Sequence, residues 1–213
     1  AAHELRNPLA CLRTTVEVAL RGERRPDEYV EALRDVLSDV ERLQGLILGL
    51  LQLTRTAEGG AAEGHPVSVV SLVRCAERRG YPLRHVSLGD DADITLEGDE
   101  ELFCNALCNV LDNARRYAPG QPPIVRVKRS PGSVEVTVTD AGPGIAEEDR
   151  ERVFEPLTRL DPARRADDTG GGFGLGLAVA RSTVRAFGGD LVCRGRSDGE
   201  RGGEFAFVFS EAD

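Results

Sequence analysis

The sequence predicts an α+β chain in which an N-terminal helical hairpin is followed by a domain that mixes helices with strands. Three observations carry this expectation. Apolar residues recur at three-and-four spacing from Leu5 to Thr54. A stretch of glycine and small residues, Ala57 to Pro66, then breaks the pattern as a linker does. Beyond it the apolar period becomes two in Ile124 to Lys128, Val134 to Val138 and Glu204 to Phe209, as in half-buried strands. The implied boundaries are 1–57 for the hairpin, 58–65 for the linker and 66–213 for the second domain.

In the hairpin, Leu5, Leu9, Leu12, Val16 and Ala19 or Leu20 share one helical face, and the helix should stop near Arg21. Gly22 through Pro26 reads as a turn, with Asp27 capping a second helix that Glu28 begins. The second seam runs Val30, Leu33, Val36 or Leu37, Val40, Leu43, Ile47, Leu50 and Thr54, a coiled-coil-like spacing. Two helices cannot enclose such a seam alone, so a second copy is expected to complete a symmetric four-helix bundle. Packing against the rest of the same chain is the lesser option.

In the second domain, Ser68 to Arg79 reads as a helix, while Leu83 to Leu88, which includes His85, and Ile94 to Glu97 read as short strands. His65 reads as a linker residue. Asp99 can cap a helix whose apolar face is Leu102, Phe103, Ala106, Leu107, Val110, Leu111 and Ala114. Its other face carries Asn105, Asn109 and Asn113 at intervals of four, then Arg116 and Tyr117. Asparagine is a mediocre helix former, so the stripe is either a solvated face or a set of amide oxygens suited to Mg²⁺.

Asp140 ends the second alternating strand and is followed by Gly142 and Gly144. This is either a plain turn or a carboxylate aimed into a pocket, where it could accept the adenine amino group's hydrogen bond. Thr158 to Gly172 is a long polar loop, either disordered or a functional lid. Gly170 to Leu177 then opens an apolar helix, an arrangement in which backbone amides can face phosphate oxygens. Phe205, Phe207 and Phe209 share one face of the last strand and are expected in the core.

With 213 residues, 40% of them hydrophobic, the chain can bury a core. A net charge of -9 argues against nucleic acid as the main partner, whereas a nucleotide needs only a local positive site. The longest apolar run, Leu46 to Leu51, is far shorter than the roughly 20 residues that span a bilayer. The expectation is therefore no transmembrane or signal segment. The five cysteines include no CxxC pair and suggest neither a disulfide framework nor a zinc site, which favours a reduced cytoplasmic setting. Cys104 and Cys108 read as small core residues. Methionine is absent even at position 1, so the chain reads as a fragment or processed product.

The chain opens with Ala2-His3-Glu4-Leu5-Arg6-Asn7-Pro8-Leu9. An imidazole can attack with one nitrogen while a hydrogen bond holds the other, and Asn7 lies one turn from His3 on the same face. The string resembles the phospho-acceptor box of sensor histidine kinases. Asn109 to Ala114 resembles their asparagine box, Asp140 to Gly144 their first glycine box, Phe154-Glu155-Pro156 their phenylalanine box, and Gly172 to Leu177 their second glycine box. The resemblance covers nearly the whole chain. It implies a dimerisation and phosphotransfer hairpin, then an α/β sandwich with a mixed sheet, the ATP-binding domain shared with gyrase, MutL and heat-shock chaperones.

The resemblance further implies roles. His3 is the phosphorylated nucleophile, assisted by Glu4, and Glu4 and Asn7 also fit a phosphatase activity. Asn109 and Asn113 would hold Mg²⁺. Arg116, Tyr117, Asp140, Gly142, Gly144, Ile145, Arg159, Gly172, Gly174, Leu175, Gly176 and Leu177 would bind ATP. The expected partners are a second copy through the hairpin and the receiver domain of a response regulator, in a protein anchored to the membrane by preceding segments. Three departures stand out: Gly203, where a Ser or Thr is common, Leu157 with Thr158 in place of aromatics, and a short segment between Pro66 and Ile94. A scaffold that binds nucleotide without turnover, or an ATPase without histidine transfer, are the competing readings.

Overall fold

The computed structural model describes residues 2–21, 25–37, 40, 64–83, 85–87, 94–160 and 174–210. The N-terminal part is helical as expected, with α1 at Ala2–Leu20 and α2 at 26–37. Capping differs from the Asp27 expectation. Pro26 is itself helical, and the Glu28 carboxylate reaches back to accept the Arg25 amide at 2.8 Å. Proline suits a first helical position, and a glutamate two residues on completes half of a capping box. The expected seam beyond residue 40 lies outside the described residues.

Leu9, Val16, Leu20, Val30, Leu33, Leu37 and Val40 are all exposed in the single chain, Leu20 at 77% and Leu33 at 66%. A row of large aliphatic side chains does not stay wet at that level without a partner surface.

The second domain is built on a mixed five-stranded sheet. Its strands are β2 (His85–Ser87), β4 (Ile124–Ser130), β5 (Ser133–Thr139), β6 (Gly189–Gly195) and β7 (Gly203–Ser210), in the order β2-β4-β5-β7-β6. Only the β2–β4 pairing is parallel. A second, two-stranded sheet pairs β1 (His65–Ser68) with β3 (Thr95–Gly98), so His65 opposes Gly98 in a ladder and is not a linker residue. Ser68 closes β1, and α3 starts one residue later than expected, at Val69–Arg78.

Alternation along the long strands decides which face is covered. Val134, Val136 and Val138 of β5 and Phe205, Phe207 and Phe209 of β7 are buried together with the apolar sides of α3, α4 (Glu100–Tyr117) and α5 (Gly176–Ala186). Phe103 of α4 packs edge-on against Phe209 and Phe187, with ring centres 5.4 and 5.1 Å apart. The result is one helical layer over one mixed sheet. No helix among the described residues is long and apolar enough to cross a membrane.

The cysteine expectation requires correction. Cys75 of α3 and Cys104 of α4 form a disulfide, with Cα atoms 6.4 Å apart across a separation of 29 residues. The packing of α3 on α4, which no local spacing reveals, brings them together. Cysteine usage therefore does not argue for a reducing compartment.

Candidate nucleotide site

The site is organised by α4. Asp99 caps the helix by accepting the Leu102 amide at 2.9 Å. Phe103, Ala106, Leu107, Val110, Leu111 and Ala114 are then buried against the sheet and α5. With that face fixed in the core, the polar stripe has to face outward, and it lines a cleft of about 600 Å³.

Around this cleft the fold collects Asn109, Asn113, Arg116, Tyr117, Ile145, Arg159, Gly174, Leu175, Gly176 and Leu177 from the sequence-predicted set. They come from α4, the loop after β5, the segment after Phe154, and the start of α5. A Cβ added at Gly176 would stand 3.4 Å from Asn109 Oδ1, so the open end of α5 sits directly against the asparagine stripe. Gly174 has φ +72°, and a Cβ there would lie 2.5 Å from the Thr158 carbonyl. Glycine is required at that crossing.

Asp140, Gly142 and Gly144 are not among the described residues lining the cleft. They form a buttress behind its Tyr117 end. Asp140 is 6% exposed, and its Oδ1 accepts the amides of Gly142 at 2.7 Å and Gly203 at 3.2 Å. Oδ2 has no hydrogen-bond partner among the described residues. A Cβ at Gly203 would come within 2.9 Å of Oδ2, which accounts for glycine at this departure from the resemblance. Gly142 in turn abuts the Tyr117 carbonyl, 3.1 Å from its would-be Cβ.

The phenylalanine box is tied to α5 by charge. Arg181 donates to Glu151 at 2.7 Å and to Asp190 at 2.8 Å, and its guanidinium lies 4.6 Å from the centre of the Phe154 ring. Burial pushes the Asp190 carboxyl up, but hydrogen bonds from Arg181, Arg185 and the Leu191 amide prevail and hold it well below the usual carboxylate range.

Several lining residues had no local signal: Arg79, Tyr81, Asn105 as a bonding partner, Cys108 and Asp112. Arg79 follows α3 and donates to Asn105 Oδ1 at 2.6 Å, with Cys108 Sγ at 3.8 Å. Tyr81 Oη donates to Asp112 Oδ1 at 2.8 Å. Burial, reinforced by that carboxylate, raises the Tyr81 hydroxyl well above its ordinary value. Burial also pushes up the Cys108 thiol, with Arg79 opposing.

Among the described residues no cluster of His, Cys, Asp or Glu is placed to hold a metal ion. Gly172 lies outside the described residues. His3, Glu4 and Asn7 fall within the helical backbone of α1, and their side chains lie outside the described part.

Residues 98–213 match the family described as histidine kinase-, DNA gyrase B- and HSP90-like ATPase, and residues 1–59 match the His Kinase A (phospho-acceptor) domain. The chain is 36% identical over 203 residues to the signal transduction histidine-protein kinase/phosphatase MprB of Mycolicibacterium paratuberculosis, a match covering 90% of this chain and 38% of that relative. It thus spans about two fifths of the length of this curated relative. The fold resembles that of the Acinetobacter baumannii histidine kinase AdeS, with a TM-score of 0.76 at 22% identity, over 99% of this chain and 98% of that one. It also resembles histidine kinase ThkA, solved in complex with the response regulator protein TrrA, with a TM-score of 0.74 at 19% identity, over 99% of this chain and 60% of that one. The chain belongs to the histidine kinase-, DNA gyrase B- and HSP90-like ATPase family, with a His Kinase A (phospho-acceptor) domain matched ahead of it.

Proposed function

We propose that the chain transfers the terminal phosphoryl group of ATP to His3 and from there to an aspartate of a response regulator receiver domain. The carrying observation is the cleft itself. Its described lining holds Arg79, Arg116 and Arg159 against one carboxylate, Asp112, beside an asparagine stripe and the open end of α5. In a chain of net charge -9 such a local excess of cations suits a polyanion.

The site fits Mg²⁺ as an ion that arrives with phosphates. Asn109 and Asn113 supply neutral amide oxygens, and Mg²⁺ takes few protein ligands and keeps water and phosphate oxygens. When bound it would neutralise phosphate charge. The chain's own residues do the rest. Asp140 Oδ2, held in orientation by the two amides on Oδ1, accepts from the adenine amino group, and Arg116 and Arg159 meet the phosphates.

In the transfer, an imidazole nitrogen of His3 forms a bond to the terminal phosphorus as the bond to the bridging oxygen breaks. ADP leaves with that electron pair, and the proton of the other ring nitrogen passes to Glu4. Positioning and charge neutralisation supply most of the rate in such transfers. Glu4, next to His3, and Asn7, one helical turn beyond it, suit the reverse task of orienting a water, as the kinase/phosphatase name of the MprB relative suggests for this chain as well. The hairpin seams support a homodimer, and ThkA with TrrA is the precedent for a receiver partner. We place the active part in the cytoplasm, with anchoring to the membrane through segments of a longer protein.

The test is incubation with Mg²⁺ and γ-labelled ATP of the native chain, His3→Gln and Asn113→Ala. Label that is acid-labile, alkali-stable and lost in both variants is the expected result. ATP hydrolysis with no labelled protein would overturn histidine transfer.

A further inference from the structure

We infer that Arg79 is the residue that meets the terminal phosphate, an assignment that rests on the nucleotide reading above. The cleft has two chemically different ends. One is formed by Tyr117 and Ile145 and backed by Gly142 and the Asp140 carboxylate; it offers an aromatic face, an aliphatic side chain and an oriented acceptor. The other is formed by Arg79, Asn105 and Cys108 and is polar, with Tyr81 and Asp112 on the wall between the two ends. A planar base belongs at the first, so the phosphates run along α4 toward the second.

The distances suit this direction. Asn105 and Tyr117 are 12 residues apart on one helix, about 18 Å at 1.5 Å per residue. That is comparable to an extended nucleoside triphosphate. The glycine end of α5 faces Asn109, midway along the stripe, so the chain of phosphates passes there and ends one turn further on, beside Asn105 and Arg79.

The charge of Arg79 is the second observation. Its partners among the described residues are an amide oxygen and a thiol, both neutral. By contrast Arg181, Arg185, Arg194 and Arg196 each pair with carboxylates. Asp112, the carboxylate on the same wall, accepts from the Tyr81 hydroxyl. A guanidinium turned into a cleft without a compensating carboxylate is set to receive an anion.

Arg79 is also held in place from behind. Cys75 lies one turn before it and Cys104 is the neighbour of Asn105, so the disulfide clamps the two turns that carry the Arg79–Asn105 pair. This pre-orientation limits the side-chain entropy lost when a phosphate binds.

Calorimetric titration with Mg²⁺ and either ADP or a non-hydrolysable ATP analogue tests the assignment without relying on turnover. Arg79→Gln should weaken the ATP analogue about tenfold while ADP changes less than twofold, because only the triphosphate reaches Arg79. Asn105→Ala, which removes the amide that aims the guanidinium, should give the same split at smaller size and decides the matter if Arg79→Gln does not fold. Equal weakening of both nucleotides, or no change in either, would overturn the role of Arg79. A native chain that binds neither nucleotide would overturn the underlying reading instead.

Discussion

The Leu157 amide donates to the Gly174 carbonyl across 3.0 Å, tying together the two ends of the polar segment between them. Both residues have positive φ, Leu157 at 67° and Gly174 at 72°. The left-handed region is natural for glycine and strained for leucine, at about 1–2 kcal/mol. Gly174→Ala would drive a methyl into the Thr158 carbonyl and should weaken ATP binding at least tenfold, read by titration. Leu157→Gly should keep the crossing and leave affinity near native while relieving the strain. Equal effects of the two changes would show that the tie does not shape the site.

Asp140 separates folding from recognition. Asp140→Ala leaves the Gly142 and Gly203 amides without their acceptor and should cost about 2–4 kcal/mol in urea unfolding. Asp140→Asn keeps one acceptor oxygen for those amides and replaces the other by an NH₂ that repels the adenine amino group. Its stability should stay close to native while ATP affinity falls by more than tenfold.

The disulfide should be worth about 3–4 kcal/mol by loop-closure entropy for a separation of 29 residues. Cys75→Ser/Cys104→Ser, or reduction with a dithiol, should lower the urea midpoint of the ATP-binding domain accordingly. It should also weaken the ATP analogue more than ADP, as the backing of Arg79 loosens.

Acid lability follows from Asp190. Its carboxyl is depressed in the folded chain, so its contribution is complete above the unfolded value and is lost as pH falls through the folded one. Stability should therefore decline below about pH 4. Asp190→Asn should flatten that limb of the urea-unfolding profile. An unchanged acid limb would mean that the Arg181–Asp190 pair is not what titrates.

Leu33→Glu places a charge on a seam residue that is 66% exposed in the single chain. Light scattering should show the native chain as a dimer and the variant as a monomer. Nucleotide binding by the second domain should be unaffected.

Much of the fold was legible locally because its signals are periodic. The α4 face, the Asp99 cap and the alternation of β5 and β7 follow from side-chain spacing and land where they were expected. At the start of α2 the sequence points to Asp27 as the cap, but Pro26 is as compatible with a first helical turn as with a loop and the helix begins there. The strand that begins at His65 is not legible locally, because four residues beside a glycine-rich stretch carry too few positions for a period to show.

The sequence by itself determined which residues could do chemistry: an acceptor histidine string, three asparagines on one helix, an aspartate at a strand end and glycines before α5. Each is a short-range pattern whose spacing sets its geometry. Only the tertiary structure decided which of them share a cleft, that Asp140 stands behind its wall with two amides on one oxygen, and that Arg79 enters from α3. Arg79 and Asn105 are 26 residues apart, as Cys75 and Cys104 are 29. Such pairs are set by how α3 packs on α4, a relation between helices that no periodicity within either one encodes.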